Sequence, residues 1–360
     1  MFDLLAQDNF EQVVHGYDER SGLKAIIAIH DTTLGPSMGG TRMMVYESEE
    51  TALKDCLKLA RAMTFKNAAG GIDYGGGKAV IIGDSEKIKN EDLLRAFGRL
   101  IDSLGGRYIT GVDIGTDEQD MTVILKETAH TVALPSSYGG VGSTSGATAF
   151  GLYHGMKAAS QVVFGSSSLA GKSIAVQGVG SVGAALAKRL VEEGAEIFVT
   201  DVSQRKLDEV SRQMDVNIVA PEEIYRQEVD IFSPCALGGV LNDDTIPELK
   251  CKLVAGAANN QLADVERHGN MLKERGIVYG VDYIMSAGGV IANTHQFVGQ
   301  GYDQDRAYTE VKGNISRNIK YVIELAETEN ITTDAAAKTL VEQRLASAKE
   351  RKSWYLEKER

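Results

Sequence analysis

A glycine-rich turn between two strand-like segments constrains the fold of this chain more than any other feature of its sequence. The turn is the G-x-G-x-x-G pattern Gly178-Val179-Gly180-Ser181-Val182-Gly183. It follows the apolar run Ser173–Gln177, opens a helical stretch that ends near Gly194, and precedes a second strand-like run, Glu196–Asp201. Strand, glycine turn, helix and strand in this order are typical of a βαβ unit, whose two strands lie parallel in one sheet.

Each glycine of the turn has a separate physical role. Gly178 permits the tight turn, Gly180 lets a ligand approach the backbone, and Gly183 lets the helix pack closely on the strand. The free N–H groups at the start of the helix attract phosphate. Asp201, 18 residues after Gly183, is placed to accept hydrogen bonds from an adenosine ribose. The unit predicts a dinucleotide site made by the turn, Asp201 and the adjacent Val202. The alternative is a turn that merely packs a helix on a sheet, although strand, helix and acid are all in place.

Two basic residues bear on which dinucleotide binds. The carboxylate of Asp201 would repel the 2′-phosphate of NADP and therefore favours NAD. Arg205 and Lys206 lie just beyond it and are the side chains that would receive such a phosphate. We expect NAD as the cofactor, with NADP as the alternative if one of these bases faces the ribose.

Strand-like and helix-like segments alternate along the chain and predict an α/β protein with a parallel, doubly wound sheet. The strand-like segments outside the βαβ unit are Leu23–His30, Ala79–Gly83, Arg107–Thr110, Ile231–Pro234, Leu253–Ala257 and Gly276–Tyr279. The helical segments include Glu50–Met63, Leu93–Leu104, Ala147–Ser160 and a charged tail from Thr332 onwards. Turn-rich loops are expected over Asp31–Gly40 and Gly70–Gly77.

A length of 360 residues suits two domains. The Gly- and Ser-rich stretch Ser136–Gly146 marks the expected boundary between them. We expect an α/β domain over residues 1–145 and a Rossmann-type domain over residues 146–328, with a cleft between the two. The helical tail, residues 329–360, is expected to join the first domain and to pack by one stripe.

Charge and cysteine content argue against several classes of partner. The 50 acidic and 38 basic residues give a net charge of −12, whereas a protein that binds nucleic acid would show a basic face. The three cysteines form no C-x-x-C pair and the six histidines no H-E-x-x-H pattern, so we expect neither a disulfide frame nor a metal site. The first residues do not resemble a secretory peptide, and no run approaches 18 apolar residues. We expect a cytoplasmic protein with no membrane partner.

A second informative stretch, Met63–Lys78, contains two lysines in unusual positions. Lys66 ends an amphipathic helix, and Lys78 directly follows Gly75-Gly76-Gly77 at the start of a strand. Such glycines suggest a narrow cleft with backbone close to a ligand. A lysine that acts as a general base needs its pKa lowered from about 10.4 towards about 7–8. Burial and a second nearby cation lower the pKa of a lysine. Paired functional lysines and two solvated surface lysines are both open at this point.

Several stretches of the chain resemble the amino-acid dehydrogenases that act on leucine, phenylalanine and valine, relatives of glutamate dehydrogenase. The matching stretches are KAIIAIHDTTLGPSMGGTRM, MTFKNAAGGIDYGGGKAVIIGD, GRYITGVDIGTDEQDM, VQGVGSVG, DIFSPCALGGVLNDDTIP, VAGAANNQL and GIVYGVDYIMSAGGVI. They follow the family order from about Gly22 to Val290. The resemblance implies reversible oxidative deamination of a hydrophobic L-amino acid to a 2-oxo acid, ammonia and NADH. It also implies a homo-oligomer, from dimer to octamer, whose first domain binds the substrate.

The resemblance implies roles for individual residues. Lys66 would bind the substrate carboxylate with the N–H groups of Gly39 and Gly40, Lys78 would be the base that activates water, and Asp113 would exchange protons with the amino nitrogen. The residues implied to hold the nicotinamide end of NAD are Thr148, Ala257, Ala258 and Asn259, the last also close to the substrate, and Ala236 would border the cofactor. Those implied to line the pocket for the substrate side chain are Met38, Gly111, Val290 and Asn293.

Three positions depart from the pattern of the leucine enzymes or bear on substrate size. Gly111 stands where leucine-type enzymes usually have alanine and phenylalanine-type enzymes tend to have glycine, which deepens the pocket. Asn293 stands in place of a valine and adds a polar group that an aliphatic substrate leaves unpaired unless water reaches it. Ser286 replaces an asparagine near the nicotinamide. We therefore expect activity on large apolar or aromatic amino acids at least comparable with that on leucine and valine. The alternatives are a leucine/valine-specific dehydrogenase, a hydroxy-acid dehydrogenase with the same glycine turn, and an NAD-binding relative without catalysis.

Overall fold

The computed structural model describes residues 2–297 and 301–355 and contains two β-sheets with helices packed on both. The first part of the chain forms α1 (Phe2–Gln7), β1 (Gln12–Asp18), β2 (Leu23–Asp31), β3 (Ser37–Met44), α2 (Glu49–Ala69), β4 (Gly75–Ile82), α3 (Ser85–Ile88), α4 (Glu91–Asp102), β5 (Tyr108–Val112) and α5 (Glu118–Leu125). The second part forms α6 (Ser145–Phe164), β6 (Ser173–Gln177), α7 (Ser181–Glu192), β7 (Glu196–Thr200), α8 (Gln204–Gln213), β8 (Asn217–Ile218), β9 (Ile231–Pro234), β10 (Leu253–Ala255), α9 (Val265–Glu274), β11 (Val278–Gly280), α10 (Asp282–Met285), α11 (Gly288–Thr294), α12 (Gln304–Glu329) and α13 (Thr333–Tyr355). The predicted two-domain α/β class is confirmed.

The first sheet has the strand order β1-β2-β4-β3-β5. Strand β2 runs antiparallel to both β1 and β4, whereas β3 runs parallel to both β4 and β5. Successive side chains of β2 point to opposite faces, so Ile26 and Ala28 pack under α2, and Ile27 and Ile29 pack against α4 and α5. The helical stripe predicted over Glu50–Met63 lies on α2, which continues to Ala69. Both faces of the central strands are therefore buried.

Two stretches predicted as loops contain strands, so the predictions for Asp31–Gly40 and Gly70–Gly77 are wrong in their second halves. Strand β3 begins at Ser37 and β4 begins at Gly75. A Cβ atom on Gly39 would lie 1.9 Å from the carbonyl oxygen of Gly77, so these glycines allow the two strands to approach. Glycine is depleted in strands, and a strand built around consecutive glycines therefore carries no strand signal in the sequence. Strand β1 was not predicted either.

The second sheet is entirely parallel, with the order β11-β10-β9-β6-β7-β8. Its central unit is β6, the glycine turn, α7 and β7, so the βαβ prediction is confirmed. The strand order reverses beside β6, which pairs with β7 on one side and with β9 on the other. The loop after β6 therefore lies at the crevice where ligands bind in open α/β sheets.

The two C-terminal helices connect the parts of the chain. Helix α12, which the sequence analysis did not predict, packs against α6 and α13. Helix α13 confirms the predicted helical tail, and its buried residues Ala336, Ala337 and Val341 belong to the core around the second sheet. Arg344 of α13 also donates to the carbonyl oxygen of Ala68 at the end of α2, at 2.6 Å. The tail thus contacts both parts. No helix among residues 2–297 and 301–355 is long and apolar enough to cross a membrane.

Candidate active site

Lys78 and Asp113 form an ion pair at the centre of the first sheet. Lys78 lies on β4 with 6% of its surface exposed, and Asp113 directly follows β5. The Nζ atom of Lys78 donates to Oδ2 of Asp113, and Oδ1 of Asp113 accepts from the backbone N–H of Ile114 at 2.6 Å. Burial by itself raises the pKa of Asp113, but Lys78 and Arg42 outweigh it and hold that pKa below its ordinary value. The site therefore holds an ionised carboxylate against a lysine that water hardly reaches.

Lys66 lies near this pair, in the last turn of α2. Its Nζ atom donates to Oδ1 of Asn259 at 3.4 Å, a contact that joins α2 to the loop after β10. Burial and the positive charge of Lys78 lower the pKa of Lys66 to about 8, although Asp282 and Asp113 act in the opposite direction. Lys66 is therefore a cation near neutral pH that can lose its charge in mildly alkaline solution. The structure brings Lys66, Lys78, Asp113 and Asn259 together, as the resemblance implied.

If Lys66 binds the substrate carboxylate, as the resemblance implies, its lowered pKa predicts that this binding weakens as the pH rises above about 8, because the protonated form is lost through that pKa. We expect the dissociation constant of 3-phenylpropanoate, which has no amino group to titrate, to rise by about tenfold per pH unit above pH 8. The measurement is competitive inhibition between pH 7 and 10 with saturating NAD. In Lys66→Arg the charge persists, so binding should stay constant over this range. Constant binding in the wild type would show that Lys66 does not hold the carboxylate in this way.

The glycines beside the lysines pack the protein against itself. A Cβ atom on Gly75 would lie 2.0 Å from the carbonyl oxygen of Asp31, and one on Gly76 would lie 2.0 Å from Oγ1 of Thr64. A Cβ atom on Gly40 would lie 2.4 Å from the carbonyl oxygen of Val112. Contact between strands and with α2 therefore accounts for these glycines, and backbone and side-chain atoms of the protein itself fill the space beside Gly75-Gly76-Gly77 where a narrow cleft was inferred.

The glycine turn after β6 has the geometry expected for a dinucleotide site. Gly178 has a φ of +95°, and a Cβ atom there would lie 2.6 Å from the Cβ atom of Ala236. A Cβ atom on Gly183 would lie 1.9 Å from the carbonyl oxygen of Gly178. A Cβ atom on Gly180 would meet no atom within 4 Å among the described residues. The first and third glycines thus shape the turn, whereas the second leaves open space at the N-terminus of α7, where no side chain caps the helix.

Asp201 closes the other side of this space, just after β7. Its Oδ2 atom accepts from the N–H of Val179 at 3.0 Å, and its Oδ1 atom accepts from the N–H of Ser203 at 2.9 Å. The adjacent Val202 is 94% exposed. The two bases considered above are both engaged with carboxylates. Lys206 Nζ lies 3.7 Å from Asp201 Oδ2, and Arg205 bonds to Glu209 at 2.5 Å.

The residues implied at the nicotinamide end lie on α6 and on the loop after β10. Thr148 is half-buried on α6, Ala257 and Ala258 follow β10, and Asn259 is exposed. Ser286, which replaces the expected asparagine, is buried, and its Oγ atom has no hydrogen-bond partner among the described residues.

Two of the residues implied to line the substrate pocket, Met38 and Val290, lie in one apolar cluster. It contains Met38, Ile72, Ile109, Val132, Ala287, Ile291, Val311 and Ile315, with Val290 packed against it. A Cβ atom on Gly111 would lie 3.1 Å from Cγ2 of Val132. Asn293 Oδ1 accepts from Gln296 Nε2 at 3.1 Å, and Gln296 Oε1 accepts from the N–H of Leu134 at 3.3 Å. The carbonyl oxygen of the Asn293 amide thus has a partner within the protein.

One charged residue at the site was missed by the sequence analysis. The guanidinium of Arg42 on β3 lies 3.5 Å from Oδ1 of Asp113 and 3.1 Å from Oδ2 of Asp55 on α2. Arg42 and Asp113 are 71 residues apart, so nothing local in the sequence connects them. The signal that was present is an arginine two residues after the paired glycines Gly39-Gly40, on a strand whose neighbours carry Lys78 and precede Asp113.

Comparisons with known proteins agree over nearly the whole chain. Residues 10–130 match the family model described as Glu/Leu/Phe/Val dehydrogenase, dimerisation domain, and residues 195–353 match Glutamate/Leucine/Phenylalanine/Valine dehydrogenase. The chain is 49% identical to leucine dehydrogenase of Bacillus subtilis (strain 168), covering 99% of this chain and 97% of that protein. It is 46% identical to phenylalanine dehydrogenase of Bacillus thermotolerans, covering 96% and 91%.

The chain is also similar to a solved structure over nearly its whole length. The crystal structure of L-tryptophan dehydrogenase from Nostoc punctiforme superposes with a TM-score of 0.86 at 43% identity, covering 97% of this chain and 99% of that one. These identities are too close together to distinguish leucine, phenylalanine and tryptophan as substrates.

Proposed function

Since the chain belongs to the Glu/Leu/Phe/Val dehydrogenase family, we propose that it catalyses the NAD-dependent, reversible oxidative deamination of large apolar or aromatic L-amino acids. The coarser activity follows from the family: the protein is an oxidoreductase that acts on the CH–NH2 group of amino acids with a nicotinamide cofactor. The observation that carries the proposed deamination chemistry is the buried pair of Lys78 and Asp113 beside Lys66. A base, a counter-carboxylate and a carboxylate-binding cation are the groups that this reaction requires.

Lys66 binds the carboxylate of the amino acid. It lies at the contact between α2 and the Asn259 loop, so a substrate held there is fixed between the two parts of the chain. Fixing the carboxylate also fixes the α-carbon and the amino nitrogen relative to Lys78 and Asp113. Such orientation converts an encounter in solution into a reaction within one complex.

Lys78 acts as the general base in its neutral form. It takes a proton from the water that adds to the imine carbon after the α-carbon has been oxidised. Asp113 then relays that proton from Lys78 to the amino nitrogen, and Lys78, neutral again, takes the hydroxyl proton as the C–N bond of the carbinolamine breaks to give the 2-oxo acid and ammonia. Because both groups are shielded from bulk water, proton transfers between them stay within the site.

NAD, when bound, supplies the acceptor for the hydride that leaves the α-carbon. The turn Gly178–Gly183 with Asp201 and Val202 fits its adenosine half, because Gly180 leaves open space beside uncapped N–H groups of α7. We propose that Thr148 and the stretch Ala257–Asn259 hold the nicotinamide half, and that Ala236, next to Gly178, borders the cofactor.

Two observations support NAD over NADP. Asp201 is fixed by two backbone N–H groups, which keeps its negative charge at the ribose end of the site. Arg205 pairs with Glu209 and Lys206 pairs with Asp201, so neither is an unpaired cation available to bind a 2′-phosphate. A bound NADP would have to break one of these pairs and approach Asp201.

The pocket supports a large side chain. Gly111 adds no methyl group against Val132, and the neighbouring cluster around Met38 and Val132 is apolar. Met38 fills part of this space but is unbranched and can move aside. Gln296 already donates a hydrogen bond to the amide oxygen of Asn293. An apolar substrate side chain therefore leaves fewer polar groups of Asn293 unpaired than expected from the sequence.

A substrate panel tests this proposal. We expect kcat/KM for phenylalanine and tryptophan at least comparable with that for leucine and valine, and higher with NAD than with NADP. Gly111→Ala should reduce kcat/KM for phenylalanine relative to leucine by roughly tenfold, because the new methyl group presses on Val132. The measurement is the initial rate of NADH formation.

The matched control is Gly313→Ala, since a Cβ atom on Gly313 of α12 meets nothing within 4 Å among the described residues and should leave the preference unchanged. Strong preference for valine, unaffected by Gly111→Ala, would favour the branched-chain alternative. Turnover of hydroxy acids alone would favour a hydroxy-acid dehydrogenase. No turnover despite NAD binding would favour a relative without catalysis.

We further propose that the protein acts in the cytoplasm as a homo-oligomer, with residues 1–145 as the substrate-binding and oligomerising domain and residues 146–328 as the NAD domain. The match of residues 10–130 to a dimerisation domain supports the first assignment. Its small-molecule partners would be the amino acid and the 2-oxo acid.

A further inference from the structure

Arg42 is the third charge at the Lys78–Asp113 pair, and we propose that it is a positioning residue that orients Asp113 and keeps it a carboxylate while Lys78 is uncharged. This inference rests on the proposed catalytic roles of Lys78 and Asp113. Nothing in the sequence assigned a role to Arg42, and its side-chain hydrogen bonds within residues 2–297 and 301–355 go to the carboxylates of Asp113 and Asp55.

The contacts of Asp113 divide between its two oxygens. Oδ2 accepts from Nζ of Lys78, and Oδ1 accepts from the N–H of Ile114 and faces the guanidinium of Arg42 at 3.5 Å. Each oxygen thus has its own positively charged neighbour. A carboxylate held at both ends cannot rotate away from Lys78, so the direction in which it offers a proton is defined.

Arg42 is itself held in place from the other side. Its Nη1 atom lies 3.1 Å from Oδ2 of Asp55, and the hydroxyl of Tyr46 donates to the same oxygen at 2.7 Å. The Arg42 side chain is only 18% exposed, so solvent screens these contacts weakly. The planar guanidinium can face two carboxylates at once, which the single ammonium of a lysine does less well.

The proposed reaction gives an electrostatic reason for a permanent positive charge beside Asp113. The charged groups that face Asp113 are Lys78 from β4, Arg42 from β3 and, further away, Lys66 from α2. Lys78 must be neutral when it acts as a base, and at that moment a buried Asp113 loses its nearest counter-charge. Burial would then raise the pKa of Asp113 and favour its protonation. Arginine stays charged at every pH of interest, so Arg42 keeps the carboxylate ionised through this step.

The test compares Arg42→Gln, Arg42→Lys and Asp55→Asn with the wild type. In Arg42→Gln we expect kcat to fall by roughly 10–100-fold, with the KM for the amino acid changed less than about threefold. The acidic limb of the pH–kcat profile should move to higher pH by roughly 1–3 units, since an opposite charge at this distance lowers a carboxyl pKa by that amount. Arg42→Lys should recover part of kcat, and Asp55→Asn, which releases Arg42, should move both quantities in the same direction by less.

Lys172→Gln is the matched control. Lys172 pairs with Asp230 at 3.0 Å, is 26% exposed, and directly precedes β6, in the second sheet and not in the one that carries Lys78. It should lower the melting temperature about as much as Arg42→Gln while leaving kcat and its pH profile unchanged. An equal loss of kcat in Lys172→Gln would mean that Arg42 acts only through stability, which would overturn the inference.

Asp113→Asn, assayed in parallel, separates two kinds of failure. If Asp113→Asn is inactive but Arg42→Gln has the turnover and pH profile of the wild type, the inference about Arg42 fails alone. If Asp113→Asn keeps its turnover, the catalytic assignment itself fails. Should Arg42→Gln not fold, Asp55→Asn decides, because an unchanged kcat and pH profile in that variant would also overturn the inference.

Discussion

Replacing Lys78 with alanine should lower kcat by on the order of 10²–10⁴-fold while NAD still binds. Lys78 is buried on β4 and pairs with Asp113. We therefore expect no other side chain to accept the proton of the attacking water in its place. Its position in the first sheet is remote in the fold from the glycine turn after β6, which is why the affinity for NAD should be preserved. The measurements are steady-state kinetics and the dissociation constant of NADH by fluorescence.

Lys78→Arg is the control that separates base catalysis from charge pairing. Arginine keeps the positive charge beside Asp113 but does not lose its proton below about pH 12. We therefore expect Lys78→Arg to have a higher melting temperature than Lys78→Ala but a kcat that is nearly as low. Turnover near that of the wild type in either variant would remove Lys78 from the mechanism.

The second large effect concerns two glycines of the same turn, which should respond in opposite ways to one added methyl group. In Gly180→Ala the methyl group enters open space at the N-terminus of α7, where the pyrophosphate is expected. Hydrogen bonds to charged groups contribute about 1.5–3 kcal/mol, so blocking that approach should weaken NAD binding by roughly 10–100-fold. The melting temperature should hardly change.

In Gly183→Ala the methyl group would lie 1.9 Å from the carbonyl oxygen of Gly178, which is backbone and cannot move aside. We expect the free energy of unfolding to fall by about 1–3 kcal/mol or more. Chemical denaturation and NAD titration of both variants check the pair. Unchanged NAD affinity in a stable Gly180→Ala would place the pyrophosphate elsewhere.

Much of the fold could be predicted because its signals are local. The turn Gly178–Gly183, the strands beside it and the following Asp201 lie within 29 residues, so their spacing determines how they come together. Short apolar runs such as Ile231–Pro234 coincide with their strand, because a strand buried on both faces needs apolar residues throughout. The helical stripe on α2 was predicted for the same reason, because apolar residues recur at helical spacing on the face that packs against the sheet.

The misses have a physical cause as well. Strands β3 and β4 are built around consecutive glycines, and the reason for those glycines is a close approach of distant backbone, such as Gly39 to Gly77, that no local pattern displays. The hydrogen bonds that link Asn293, Gln296 and Leu134 span 162 residues and give the amide oxygen of Asn293 a partner within the protein. Its sequence position alone suggested an unpaired polar group.

The sequence by itself determined the two-domain α/β class, the dinucleotide turn, the family and the identity of the lysines and the aspartate that the family would use. Only the tertiary structure decided which charges surround each of them. Lys66 meets Asn259 across 193 residues, and Arg42 meets Asp113 across 71. The electrostatics of a buried group depend on neighbours within a few ångströms, and those neighbours are chosen by strand order and helix packing rather than by distance along the chain.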